Sequence, residues 1–98
     1  MYYDKDGLEI DVDEWTELFS DKQYQIIQQD KIGNNFISTV WLGLNHSWNG
    51  GGIKIFETMV FNDSEEIEQD MERYETEAEA IRGHERFLEK YTNREQTE

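Results

Sequence analysis

Carboxylates carry most of the chemical potential of this chain, and their spacing directs the reading more than their number. Glu66, Glu68, Asp70 and Glu72 fall on alternate positions. In a strand, alternate residues share a face about 6.4 to 6.8 Å apart, comparable with successive phosphates along one nucleic-acid strand. Together with Asp13, Glu14 and Glu17 near the start, such a row could occupy an Arg/Lys-lined groove built for DNA or RNA. The same alternation also makes a solvated face, in which charge keeps an edge strand from pairing with another chain. Both readings stand at this point.

The second group is the loop Asn45-His46-Ser47-Trp48-Asn49-Gly50-Gly51-Gly52. Trp48 could anchor a partner, as interface tryptophans do. His46 could act as a general base with a carboxylate such as Glu57, which would make the chain a small metal-independent nuclease. No second histidine stands near His46 in sequence, and a general base alone does not make an active site. The glycines run into Ile53-Lys54-Ile55 rather than into a helix start, the context a phosphate cradle needs. His84 lies within an apolar stripe and reads as structural. Two histidines far apart and no cysteine give no transition-metal signature. Asp4-Lys5-Asp6-Gly7 lacks the later Glu of a calcium loop. No cofactor is expected, and the chain reads as non-enzymatic.

Charge is distributed in blocks. Residues 1–21 sum to −7, residues 22–56 to +2 and residues 57–98 to −9, giving −14 over 98 residues. A surplus of this size repels itself and repels nucleic acid, so direct nucleic-acid binding is not expected, and the acidity suits either a solubility device or a surface shaped for a strongly basic protein partner. Without cysteine the chain fits a reducing compartment, and no apolar stretch approaches a membrane span. Cytoplasmic placement without membrane attachment follows as the expectation.

The elements that must position these residues follow from pattern. Tyr2-Tyr3 and Leu8 to Ile10 form a hairpin around Asp6-Gly7. Asp11 or Asp13 caps a short helix with Val12, Trp15, Leu18 and Phe19 at helical spacing, ending near Ser20. Tyr24–Ile32, Phe36–Leu44 and Ile53–Phe61 are rich in β-branched and aromatic residues and predict strands joined as a meander. Phe36, Val40, Leu42 and Leu44 on one side of the second, with Ile37 and Trp41 on the other, place it centrally and require cover on both faces. Because two short helices give limited cover, a homodimer burying sheet surface is a further expectation. A fourth strand, Ile67–Tyr74, puts Glu68, Asp70, Glu72 and Tyr74 on a water-facing side. Thr76 to Glu79 has capping-box form and opens a helix over about 77–91, with Ala80, Ile81, His84, Phe87, Leu88 and Tyr91 as its apolar face. The predicted fold is α+β. An antiparallel sheet of about four main strands, plus the short hairpin, packs with a short N-terminal and a longer C-terminal helix, as one domain over 1–91 with a frayed tail at 92–98.

The core STVWLGLNHSWNGGGIKIFETMVF, residues 38–61, resembles a group of small acidic proteins encoded by phages and other mobile elements. That group's YYDxDG start, xxEW helix and AxxGH-like step are met here by Tyr2, Tyr3, Asp4, Asp6, Gly7, Glu14, Trp15, Ala80, Gly83 and His84. The resemblance covers most of the chain and brings no catalytic motif. It implies a setting in the cytoplasm of a phage or mobile-element host and a similarity in kind to anti-CRISPR inhibitors. The expected function is therefore an anti-defence inhibitor that binds a Cas9-type nuclease and blocks guide RNA or DNA engagement. Its binding residues would be Glu66, Glu68, Asp70, Glu72, Asp13, Glu14, Glu17, Trp48 and His46. The alternative is a phage structural or regulatory interaction module whose interface is the Trp48 loop.

Overall fold

The structure, a computed structural model, describes residues 1–45, 52–62 and 70–96, with side chains as far as Asn93. Two strands, β1 (Tyr2–Tyr3) and β2 (Glu9–Ile10), form the predicted hairpin. Its turn is held by the Asp4 carboxylate, which accepts from the Asp6 and Leu8 backbone amides, and Gly7 supplies a φ of 81°. Helix α1 (Val12–Ser20) is capped by Asp11, whose side chain accepts from the Glu14 amide at 2.8 Å. Asp21 both ends α1 and caps a single helical turn, α2 (Lys22–Gln25). That turn occupies the first positions of the strand expected from Tyr24; the strand begins only at Ile26, because Asp21 draws the following amides into a helical turn.

Four strands then run as an antiparallel meander in the order β3 (Ile26–Ile32), β4 (Asn35–Trp41), β5 (Phe56–Asn62) and β6 (Met71–Tyr74). The register places Ile37, Thr39 and Trp41 beside Val60, Thr58 and Phe56, with Tyr74 next to Phe56. Beyond Trp41 the chain leaves the ladder, and Leu44 makes only an isolated bridge to Tyr2. The amides of Leu42 and Gly43 both point to the Ile55 carbonyl. The hairpin is fastened to this segment by Tyr3 N–H to the Gly43 carbonyl and by Trp41 Nε1–H to the Tyr3 carbonyl.

Helix α3 (Glu77–Gln96) lies across all four strands of the meander. Thr76 Oγ1 accepts from the Glu79 amide at 3.1 Å and donates to the Glu79 carboxylate. The helix continues past the expected end at 91, since Thr92-Asn93-Arg94-Glu95-Gln96 contains neither Gly nor Pro to stop it. Ala80, His84, Phe87 and Tyr91 are buried as expected, whereas Ile81 lies on the flank and is exposed. Val12 is likewise exposed, leaving Trp15, Leu18 and Phe19 to pack α1 against Trp41.

The core has two parts under one face of the sheet. Trp41, Ile55, Phe56, Tyr74 and Ala80 form one, with Trp15, Phe19 and Tyr24 against it; Ile37, Val60, Phe87 and Tyr91 form the other. Both parts lie on the side that carries the helices, while on the opposite face Ser38 and Glu57 are also buried. The opposite face shows Phe36, Phe61 and Met71 at 37%, 46% and 42% exposure. The apolar residues on both sides of β4 do place it inside the sheet, between β3 and β5.

Candidate functional site

Asp13 and Glu14 stand in the first turn of α1 and Glu17 in the next. One turn of helix separates position 17 from 13 and 14, so the three neighbour one another on α1, with Asp13 and Glu17 turned away from Trp15, Leu18 and Phe19 and Glu14 at the border beside Leu18. All three are exposed. Among the described residues, no Lys or Arg lies within ion-pair distance of them. Glu9 and Asp11 immediately before the helix and Asp21 immediately after it are also exposed, extending the acidic surface. The local cations are engaged elsewhere. Lys5 pairs with Glu77 at 3.5 Å and lies over the Tyr24 ring, and Lys22 Nζ donates to the Gln25 side-chain carbonyl.

The row on the fourth strand is arranged differently. Tyr74 does not face water but is buried under α3, and strand alternation puts Glu72 and Asp70 on the same side. Both carboxylates lie at the flank of α3, where Arg86 reaches Glu72 at 3.3 Å and Lys90 reaches Asp70 at 2.6 Å. The Tyr91 hydroxyl donates to Asp70 as well. The spacing explains the match: residues four apart rise about 6 Å along a helix and residues two apart about 6.6 Å along a strand. Arg86 and Lys90, four apart in sequence, were the signal that this side meets the helix. Glu66, Glu68, His46 and Trp48 lie outside the described residues. Glu57, suggested as a partner for His46, is largely buried on the other sheet face, where Arg73 Nε donates to it at 2.9 Å.

A third constellation was not legible as a group. His84 is wholly buried; Nε2 meets Asp30 Oδ2 at 2.8 Å and Nδ1 meets Thr39 Oγ1 at 2.6 Å. Thr39 continues to Thr58 Oγ1, and the Tyr74 hydroxyl donates to Thr58 at 3.0 Å. With Asp30 ionised, one assignment satisfies every atom. Nε2–H donates to Asp30, and each hydroxyl from Tyr74 through Thr58 and Thr39 donates to the next, ending at Nδ1. No buried side-chain polar atom among the described residues lacks a partner. The bond from His84, then that from Gln28, holds the Asp30 carboxyl below its ordinary 3.8. Burial pushes the Tyr74 and Tyr24 phenols up. The order Asp30, His84, Thr39 is that of a nucleophile triad, yet Thr39 and His84 have no exposed surface. As it stands the row joins β3, α3, β4, β5 and β6 and leaves no room for a substrate at the hydroxyl.

Among the described residues, no group of three or more His, Cys, Asp or Glu side chains could hold a metal ion, and no helix is long and apolar enough to cross a membrane. Compared with protein-family models, curated proteins and solved structures, the chain matches none.

Proposed function

We propose that this protein is a non-enzymatic binding module whose α1 surface occupies a cationic groove built for nucleic acid. The supporting observation is the contrast between its two acidic groups. Asp70 and Glu72 are held by Lys90 and Arg86, whereas Asp13, Glu14 and Glu17 are exposed with no cation of the described residues beside them. Setting these like charges beside one another on a helix is unfavourable in isolation, and a basic partner relieves that cost. The partner that best fits this chemistry and the resemblance of the 38–61 core is an RNA-guided, Cas9-type nuclease in the host cytoplasm. Its guide and target channel is lined with positive charge, so the protein would act as an anti-CRISPR inhibitor competing with RNA or DNA.

The test is a combined Asp13→Asn, Glu14→Gln, Glu17→Gln variant assayed for binding to such a nuclease without its guide. The expected result is weaker binding and a shallower dependence on salt, because three charges leave a contact steered by electrostatics. Unchanged affinity and salt slope in the folded variant would remove α1 from the interface.

A further inference from the structure

We propose that the buried row from Asp30 to Tyr74 is a two-state proton relay, in which a proton taken up at Nδ1 of His84 turns every hydroxyl of the row round and moves the donation of the Tyr74 hydroxyl from Thr58 to Glu72. The row is continuous: Asp30 Oδ2 meets His84 Nε2 at 2.8 Å, Nδ1 meets Thr39 Oγ1 at 2.6 Å, Thr39 meets Thr58 at 2.5 Å and Thr58 meets the Tyr74 hydroxyl at 3.0 Å. Its middle is sealed, since His84, Thr39 and Thr58 are wholly buried. Its ends reach solvent. The Asp30 side chain is 40% exposed. At the far end Glu72, 47% exposed, shares a side of β6 with Tyr74, and its carboxylate is a second acceptor for the phenol.

A threonine or tyrosine hydroxyl is donor and acceptor at once, whereas neutral imidazole has one of each and imidazolium has only donors. With His84 neutral, donation runs from Tyr74 through Thr58 and Thr39 to Nδ1. A solvent proton that arrives through the Glu72 carboxyl passes to the Tyr74 oxygen as that oxygen releases its own proton to Thr58; Thr58 then releases one to Thr39, and Thr39 releases one to Nδ1. Each oxygen gains one O–H bond and loses one, a single N–H bond forms, and nothing is oxidised or reduced. Every new O–H bond points back along the row, so donation now starts at Nδ1–H and ends at Glu72. Nε2–H still donates to Asp30, and each hydroxyl again has one donor and one acceptor.

The charges around the ring suit the reversed state. Strands β3, β4, β5 and β6 all pack against α3. Among the described residues, β3 brings Asp30 to His84, and β4 and β5 bring no titratable side chain on this side of the sheet. From β6 come Tyr74 and Glu72, with Asp70 beyond them; α3 itself brings Arg86 to Glu72, and Lys90 and Tyr91 to Asp70. The bond from His84 holds the Asp30 carboxyl below 3.8, so Asp30 stays ionised as the counter-charge of an imidazolium. Burial keeps the Tyr74 phenol neutral. The charge of a sealed ring is thereby read at the Glu72–Arg86 contact on the edge strand. The relay is a property of the buried row alone and operates whether or not α1 binds a nuclease.

The test is nitrogen and carbon NMR of the isotope-labelled, unmodified chain from about pH 8 to about pH 5, the interval in which histidine changes charge, with His46→Gln used to assign the two rings. Nε2 of His84 should carry its proton throughout, and Nδ1 should pass from bare to protonated while the chain stays folded. The Tyr74 Cζ and Glu72 Cδ resonances should move with the same midpoint as Nδ1. In Tyr74→Phe the reversed row would end on a Thr58 hydroxyl without an acceptor, so Nδ1 should bind its proton about tenfold more weakly, and Glu72 should no longer move with it. An Nδ1 that stays bare down to about pH 5 in the folded protein, an Nδ1 that gains its proton while Tyr74 Cζ stays fixed, or a folded Tyr74→Phe that binds the proton as tightly as the parent would each overturn the proposal. The shared midpoint in the parent decides the matter if the variant does not fold.

Discussion

Thr39 is the residue on which the buried polar row turns, because its hydroxyl touches both His84 and Thr58. Thr39→Val keeps the shape and removes the hydroxyl, leaving Nδ1 of His84 buried without a donor. The expected loss is about 1 to 3 kcal/mol of unfolding free energy, the usual cost of such an orphaned group; chemical denaturation measures it. Asp30, at the solvent end of the row, sets an acid limit. Its folded value lies below 3.8 through the bond from His84, so its contribution is complete above the unfolded value and disappears as pH falls through the folded one. Asp30→Asn should be less stable at neutral pH and lose less stability than the parent on acidification below about pH 4, as followed by thermal melts across that range. A parallel decline in both proteins would remove Asp30 from the acid response. Little of this row was legible in the sequence. His84 within an apolar stripe pointed to a structural role, but its partners stand 45 and 54 positions away on strands whose register no local pattern fixes.

Local chemistry and long-range packing divide the elements between them. The starts of α1 and α3 were readable because Asp11 and Thr76 act on amides three positions on. The pairing of β3 with β4 was readable because the two-residue turn Gly33-Asn34 joins them. The orientation of the fourth strand was misread. Charge alternation suggested a water-facing row, but burial of the Tyr74 ring fixes which side turns inward, and Arg86 and Lys90 accept the consequence for Glu72 and Asp70. Gly83 records how closely α3 approaches that ring, since a Cβ there would overlap the Tyr74 phenol. Gly83→Ala should therefore destabilise by about 1 to 3 kcal/mol through overpacking, against the gain of about 1 kcal/mol that helix propensity alone gives. In a Tyr74→Phe background the penalty should shrink, because the hydroxyl is the atom nearest to the added methyl. A double-mutant cycle checks this coupling, and additive effects would contradict the close approach.

Among the described residues, the helices and both parts of the core lie on one side of the sheet, while carboxylates gather along α1 and around α3. The charge blocks were legible as sums, but which carboxylates are left without a cation depends on where Lys90, Arg86 and Lys5 come to rest. The 23 Asp and Glu outnumber the nine Lys and Arg, and exposed ion pairs contribute only about 0 to 1 kcal/mol each. Raising salt from low to physiological concentration should thus raise the melting temperature by screening repulsion; a flat or falling value would show that ion pairs dominate. The most direct measurement of the proposed function is carboxyl footprinting of the unmodified protein, alone and with a guide-free Cas9-type nuclease, read by mass spectrometry residue by residue. The account predicts that Asp13, Glu14 and Glu17 become protected from modification in the complex, and that guide RNA added first prevents this protection. Equal labelling of these three carboxylates with and without the nuclease, or protection that guide RNA leaves untouched, would contradict it.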